Sequence, residues 1–209
     1  LIQDLLAIAM TGSRLNEQRA LQARRGMEVK LEKIVARGAP RKGKAGFVNH
    51  PAVTLFGTAF AWTMATPAAV IKRDLGALVQ SIVLDSHQVE RPDTLLLPPA
   101  AYAIASEVSF APNNPTSVLE VFLRQSPYIR QIDQWIQLEG AGVGGADRIV
   151  CYRRGADVAE IGIPLEYDEM PPEVRGLEFI VHAHMRVAGA IIRRPMAIRY
   201  ADGTFDATP

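Results

Sequence analysis

Residues from Ser13 to Arg37 carry helix-compatible residues without a proline, yet almost no apolar surface. Leu15, Met27, Leu31 and Ile34 form a sparse stripe. Arg14, Glu17, Arg19, Arg24, Arg25, Glu28, Lys30, Glu32 and Lys33 cover the other faces. One long helix is predicted, with Arg24 and Glu28 four residues apart and able to pair across one turn. A helix so charged cannot be the core of a small domain. It has to lie across the outside of a sheet or against a neighbouring subunit. That excludes most small bundles and demands a sheet elsewhere in the chain.

Composition narrows the alternatives. The 209 residues are 48% hydrophobic and 22% charged, with a net charge of +1. A disordered polymer needs less hydrophobicity and more charge, and a grossly basic nucleic-acid binder needs more positive charge. The single cysteine, Cys151, excludes a disulfide scaffold. Arginine outnumbers lysine 18 to 5. This suits bidentate carboxylate pairing at interfaces, although codon usage explains the count equally well. The start, Leu1 to Met10, contains Asp4 and lacks a basic leader, unlike a signal peptide. Pro51 to Ile71 is uncharged, but Thr54, Gly57, Thr58, Thr63, Thr66 and Pro67 divide it. A strand followed by a helix start fits it better than a membrane span.

After the long helix comes a glycine- and base-rich loop, Gly38 to Gly46, carrying Arg41, Lys42 and Lys44. Val53 to Trp62 reads as extended. Thr66 and Pro67 open a second helix, with Thr66 capping it and Val70, Ile71, Leu75, Leu78, Val79 and Ile82 at helical spacing. Thr94 to Leu97 is a short buried strand, and Pro98-Pro99 starts a short helix through Ser106. Phe110 to Thr116 reads as a loop. Ser117 with Glu120 is a capping box opening a further helix, which Pro127 ends. Strands are predicted over Ile129 to Leu138, Arg148 to Arg153, Leu177 to Arg186, Ala190 to Arg194 and Met196 to Tyr200. Ile163 to Arg175, rich in proline and acid, reads as a loop. Early helices and late antiparallel strands indicate an α+β architecture.

No reactive constellation emerges. Gly140-Ala141-Gly142-Val143-Gly144-Gly145 matches the dinucleotide fingerprint, but a strand pattern follows where a helix is required. His182 and His184 share a strand face with Glu178, a spacing that can hold a metal, without an evident third ligand; Leu177, Phe179, Val181, Ala183 and Met185 are expected on the core side. Cys151 reads as a buried structural thiol. Glu166, Asp168 and Glu169 are paired carboxylates without positioned partners. No catalytic residue, metal ligand or cofactor is assigned.

Four stretches together resemble a phage major capsid family of the Hong Kong 97 type. They are Arg91-Pro92-Asp93-Thr94-Leu95-Leu96-Leu97-Pro98-Pro99-Ala100-Ala101-Tyr102, Asp147-Arg148-Ile149-Val150-Cys151-Tyr152-Arg153-Arg154, Met170-Pro171-Pro172-Glu173-Val174-Arg175-Gly176-Leu177-Glu178-Phe179 and Arg194-Pro195-Met196-Ala197-Ile198-Arg199-Tyr200-Ala201-Asp202-Gly203. Gly46 to Val53 is similar to the segment after that family's spine helix. The resemblance implies a Hong Kong 97-type fold divided as follows: residues 1–12, a remnant of an N-terminal arm or extended loop; 13–65, a peripheral domain with the spine helix; 66–186, an axial domain; 187–209, return strands of the peripheral domain and a tail. The family's arm and extended β-hairpin precede the spine helix and are not seen in this chain.

The function so implied is a non-enzymatic shell protein of a tailed phage or prophage. It would form pentamers and hexamers in an icosahedral shell around double-stranded DNA, without sequence specificity and without a membrane. Cement, scaffold and portal proteins are its expected partners, and the host cytoplasm its place of assembly. Arg14, Arg24, Arg25, Glu28, Gly142, Gly144, Glu169, Glu173 and Arg175 are candidate subunit contacts, and Arg41, Lys42 and Lys44 candidate inner-surface bases. An encapsulin-like nanocompartment shares the implied fold, and a dinucleotide- or metal-dependent enzyme is the remote alternative.

Overall fold

The computed structural model describes residues 15–111, 114–171, 173–175 and 178–207. Helix α1 spans Leu15–Arg37, so Ser13, Arg14 and residues 1–12 lie outside the described residues. Strand β1 (Phe60–Thr63) leads to α2 (Ala68–Asp85), followed by β2 (Thr94–Leu97) and α3 (Pro99–Glu107). Next come β3 (Ser109–Ala111), β4 (Asn114–Ser117), α4 (Val118–Gln125), β5 (Gln131–Gln134) and β6 (Asp147–Tyr152). The remainder is β7 (Ala159–Gly162), β8 (Leu165–Glu169), β9 (Glu173–Arg175), β10 (Glu178–Ile180), β11 (Ala183–Arg186), β12 (Gly189–Ile192) and β13 (Ile198–Asp206).

Five strands form one mixed sheet in the order β1-β13-β6-β2-β5. β13 is antiparallel to β6 and β6 to β2, while β1 runs parallel to β13 and β5 parallel to β2. Alternation sorts its residues onto two faces. Leu95, Leu97, Ile149, Cys151 and Ala201 face α2, α3 and α4, where Ile71, Leu75, Leu78 and Ile82 supply the helical stripe. Leu96, Val150, Ile198 and Tyr200 face the other way, against Phe47, Val48, Val53 and Leu138. Each fully buried aliphatic side chain contributes roughly 1.5–3 kcal/mol, so the sheet is stabilised from both sides.

The second half is dominated by a two-stranded antiparallel ribbon. Ile192 pairs with Ala159, Gly189 with Gly162, Arg186 with Leu165, Ala183 with Glu169 and Ile180 with Glu173. Pro164 and a bulge at Met185 interrupt the ladder, since proline has no amide to donate and a bulge leaves one residue unpaired. Such a ribbon is marginal in water by itself. Its base packs against α1. The charge-covered helix thus lies outside the sheet, as the sparse stripe requires.

Several expectations need correction. Ile163 to Arg175 is not a loop but contributes β8 and β9, and Phe110 to Thr116 contributes parts of the β3–β4 hairpin. The Leu177–Arg186 strand is broken between β10 and β11, and Val181 is half exposed rather than on a core face. Ile129 to Leu138 holds only a four-residue strand before a 3₁₀ turn at Ile136–Leu138. Extension over Val53 to Trp62 is confined to β1 and a bridge at Leu55. Thr66 does not cap α2; its hydroxyl accepts from the Thr63 amide at 2.8 Å, and Pro67 occupies the cap position. In contrast, Ser117 does cap α4, accepting from the Glu120 amide at 3.3 Å. The expected domain boundary after Arg186 falls inside the ribbon, and β13 is the middle strand of the sheet.

Candidate assembly surfaces

Most of α1 is open to solvent. Arg24, Arg25 and Glu28 are exposed, and Arg24 pairs with Glu28 at 3.1 Å. In water such a pair contributes a few tenths of a kcal/mol, so its presence does not stabilise the subunit appreciably. Leu21 and Val29 are more than half exposed on the same helix. Arg14 lies outside the described residues.

The exit from α1 is tightly built. Gly38 has φ +76, and Ala39 and Lys44 form an isolated bridge that closes the loop. Asn49 holds the turn by accepting from the Gly46 amide at 2.7 Å and donating to the Arg37 carbonyl at 3.0 Å. Arg41 and Lys42 occupy a 3₁₀ turn, and with Lys44 they are exposed on this closed loop.

Past this loop sits a buried ion pair that sequence reasoning missed. Arg148 of β6 donates to Asp202 of β13 through Nε at 2.6 Å and Nη2 at 2.9 Å, and its Nη1 donates to the Val48 carbonyl at 2.6 Å. Asp202 also accepts from the Val143 amide at 2.9 Å. The pair therefore fastens three parts together: the chain leaving α1, the central strands and the glycine loop. Arg148 and Asp202 are register partners across the ladder, but this pairing is long-range and invisible to periodicity. The Arg148 guanidinium also stacks 4.7 Å from the Tyr200 ring centre.

Tyr200 adds a test at high pH. Its hydroxyl donates to the Phe47 carbonyl. Burial pushes the phenol from about 10 up to about 12, although the His50 amide and Arg148 favour the anion. The folded state keeps a proton that the unfolded state releases, so stability is expected to fall as pH rises from about 10 to 12. A urea midpoint that declines across that window in the native protein, and less in Tyr200→Phe, is the expected result.

The glycine loop runs from a 3₁₀ turn into β6, with no helix after it. Gly142 lies against Asp202, where a Cβ would stand 2.8 Å from the carboxylate carbon; Gly144 and Gly145 have left-handed φ and open surroundings. Gly142 is thus an internal packing position, and Gly144 is exposed. On the ribbon, Glu169 accepts from the Tyr167 hydroxyl at 2.5 Å, and Glu173 stands 3.6 Å from His182. Glu169, Glu173 and Arg175 are all exposed. His182 lies outside β11 and His184 within it, so the two do not form the regular strand face expected of them. Among the described residues no three His, Cys, Asp or Glu side chains converge on one point. Cys151 is wholly buried, and burial pushes its thiol far above the ordinary range, which suits packing rather than nucleophilic attack.

The candidate surfaces are therefore the outer face of α1, the closed basic loop, the glycine loop and the ribbon. Together they form a periphery around a rigid two-faced sheet. The same architecture occurs in known shells. The family described as Major capsid protein matches residues 1–204. Among solved structures, the capsid of Myoviridae Phage XM1 has TM-score 0.76 and 18% identity, over 96% of this chain and 69% of that one. The virus-like particle from Pyrococcus furiosus has TM-score 0.51 and 15% identity, over 73% and 57%. The holo-SrpI encapsulin complex from Synechococcus elongatus PCC 7942 has TM-score 0.51 and 14% identity, over 90% and 65%. No curated protein sequence matches the chain.

Proposed function

Because the chain belongs to the major capsid protein family and is a self-assembling, non-enzymatic phage shell protein with the HK97-type fold, we propose that its shell encloses double-stranded DNA in a tailed-phage virion assembled in the host cytoplasm. The family match across residues 1–204 carries this reading. Pentamers and hexamers are built from repeated weak contacts, each too small to hold alone. Cement, scaffold and portal proteins are the further partners of such a shell. The net charge of +1 suits a wall around confined DNA rather than a clamp upon it.

Arg24, Arg25 and Glu28 on α1, and Glu169, Glu173 and Arg175 on the ribbon, are our subunit contacts, with Gly144 giving the glycine loop freedom between two capsomer geometries. Gly142 is reassigned to the interior of the subunit, where Asp202 leaves no room for a side chain. Arg41, Lys42 and Lys44 are our inner-surface bases. We divide the subunit into a periphery of α1 and the ribbon and an axial part built on the five-stranded sheet.

Replacing Arg24 and Glu28 together by alanine is expected to abolish or sharply reduce particles while the subunit stays folded, since both side chains are exposed. Sedimentation of assembled material, with circular dichroism as the folding control, reads the effect. Particles in normal yield would remove α1 from the contact surface. The likeness to the encapsulin fold supports a nanocompartment as the second reading. Nuclease-resistant DNA inside purified particles favours the capsid, and a protein cargo without DNA favours the nanocompartment.

A further inference from the structure

The sheet carries a protruding apolar knob on its α2 face and an apolar groove on its α1 face. The knob begins where α2 ends. His87 and Gln88 both have left-handed φ, +51 and +68, a rare pairing for residues with side chains. The buried Ser86 hydroxyl pins the turn by accepting from the Glu90 amide at 3.0 Å. This strained shape holds Val89 out in water, 75% exposed, beside Leu84 at 60%. Met196, 59% exposed, belongs to the turn at Pro195–Ala197, which packs against α2. Nothing within the subunit is gained by this display. Strain of this kind persists only where the surroundings over-determine it, and it clusters at functional positions.

The depression beside the knob is bordered by Arg91, Arg153 and Arg194, with Glu90 and Asp157. Three arginines against two carboxylates leave it basic. Arg91 has no ion-pair partner among the described residues.

The groove opens on the other side. It measures about 870 Å³ and is walled by Leu31 and Val35 of α1, Leu96, Trp135, and Ile161 and Ile163 of the ribbon base. Its rim holds Glu28, Glu32 and Glu160 against Arg154 alone, so three carboxylates face one arginine. Consecutive residues mark the division: Arg153 borders the knob, and Arg154 the groove.

We infer that the knob of one copy seats in the groove of the next. Convex meets concave, apolar meets apolar, and a basic border meets an acidic one. The two surfaces lie on opposite faces of one sheet, so a subunit cannot fill its own groove. The contact runs head to tail, the arrangement that generates rings when its rotation closes. This inference rests on shell assembly and names the surfaces that carry it.

Cross-linking tests it in the full-length protein. A chain carrying Val89→Cys and Ile161→Cys, treated with a short bismaleimide, is expected to give a ladder of covalent oligomers. Val89→Cys alone gives none, and buried Cys151 stays unlabelled. The exposed substitutions Leu84→Asp and Val89→Asp together are expected to abolish particles with an unchanged melting curve. If the unsubstituted chain forms shells, a missing ladder or shells from the Leu84→Asp/Val89→Asp chain would overturn this contact and leave the proposed function standing. If the unsubstituted chain forms neither shells nor a ladder, both readings fall. A ladder without shells would retain the contact and remove the shell.

Discussion

Asp202→Ala is expected to destabilise the subunit by about 3–5 kcal/mol, the cost of leaving a buried charge without its partner. Arg148 is 8% exposed and Asp202 11%, so water cannot replace the lost carboxylate. The substitution also removes the acceptor of the Val143 amide and loosens the glycine loop. The guanidinium would keep only the Val48 carbonyl as a hydrogen-bond acceptor. The double substitution Arg148→Met with Asp202→Ala is expected to be milder than Asp202→Ala alone, because no unpaired charge remains. Chemical denaturation of the two variants measures this coupling directly. Equal losses in both would mean that the pair matters through packing rather than charge.

Gly46→Ala is expected to be comparably severe, at about 3 kcal/mol or more, above the usual overpacking range because the clash is with main chain. A Cβ at this position would stand 2.1 Å from the Ala36 carbonyl oxygen and 2.4 Å from the Gly38 nitrogen. Neither atom belongs to a flexible side chain that can swing away. The closure tying the end of α1 to Phe47 and Val48 must open, and those two residues pack on the α1-side face of the sheet. Gly43→Ala, in the same loop, meets no atom within 4 Å. Its cost comes only from its left-handed φ, and about 1–2 kcal/mol is expected. Comparing the two by thermal melting separates steric from conformational cost.

Helices with a buried stripe were legible in the sequence, because α2 repeats Ile71, Leu75, Leu78 and Ile82 at helical spacing against one sheet face. β2 and β6 were legible as short apolar runs. The exposed position of α1 followed from its lack of apolar surface. The ribbon was not legible for a related reason. Its strands lie largely outside the core, so β8 and β9 carry acids and flanking prolines rather than alternating apolar residues, and local chemistry resembles a loop. The β3–β4 hairpin was obscured in the same way by Pro112 and Pro115. The Arg148–Asp202 pair joins positions 54 residues apart, and no local pattern encodes it. The knob was equally hidden, since a left-handed His87-Gln88 turn has none of the glycines that announce such turns.

The central claim is that copies of this chain assemble into a shell around DNA. Electron microscopy of particles purified from cells expressing the full-length protein, followed by nuclease treatment and extraction, tests it most directly. Uniform closed shells containing protected double-stranded DNA are the predicted result. A persistent monomer, or shells that contain no nucleic acid under packaging conditions, would contradict it.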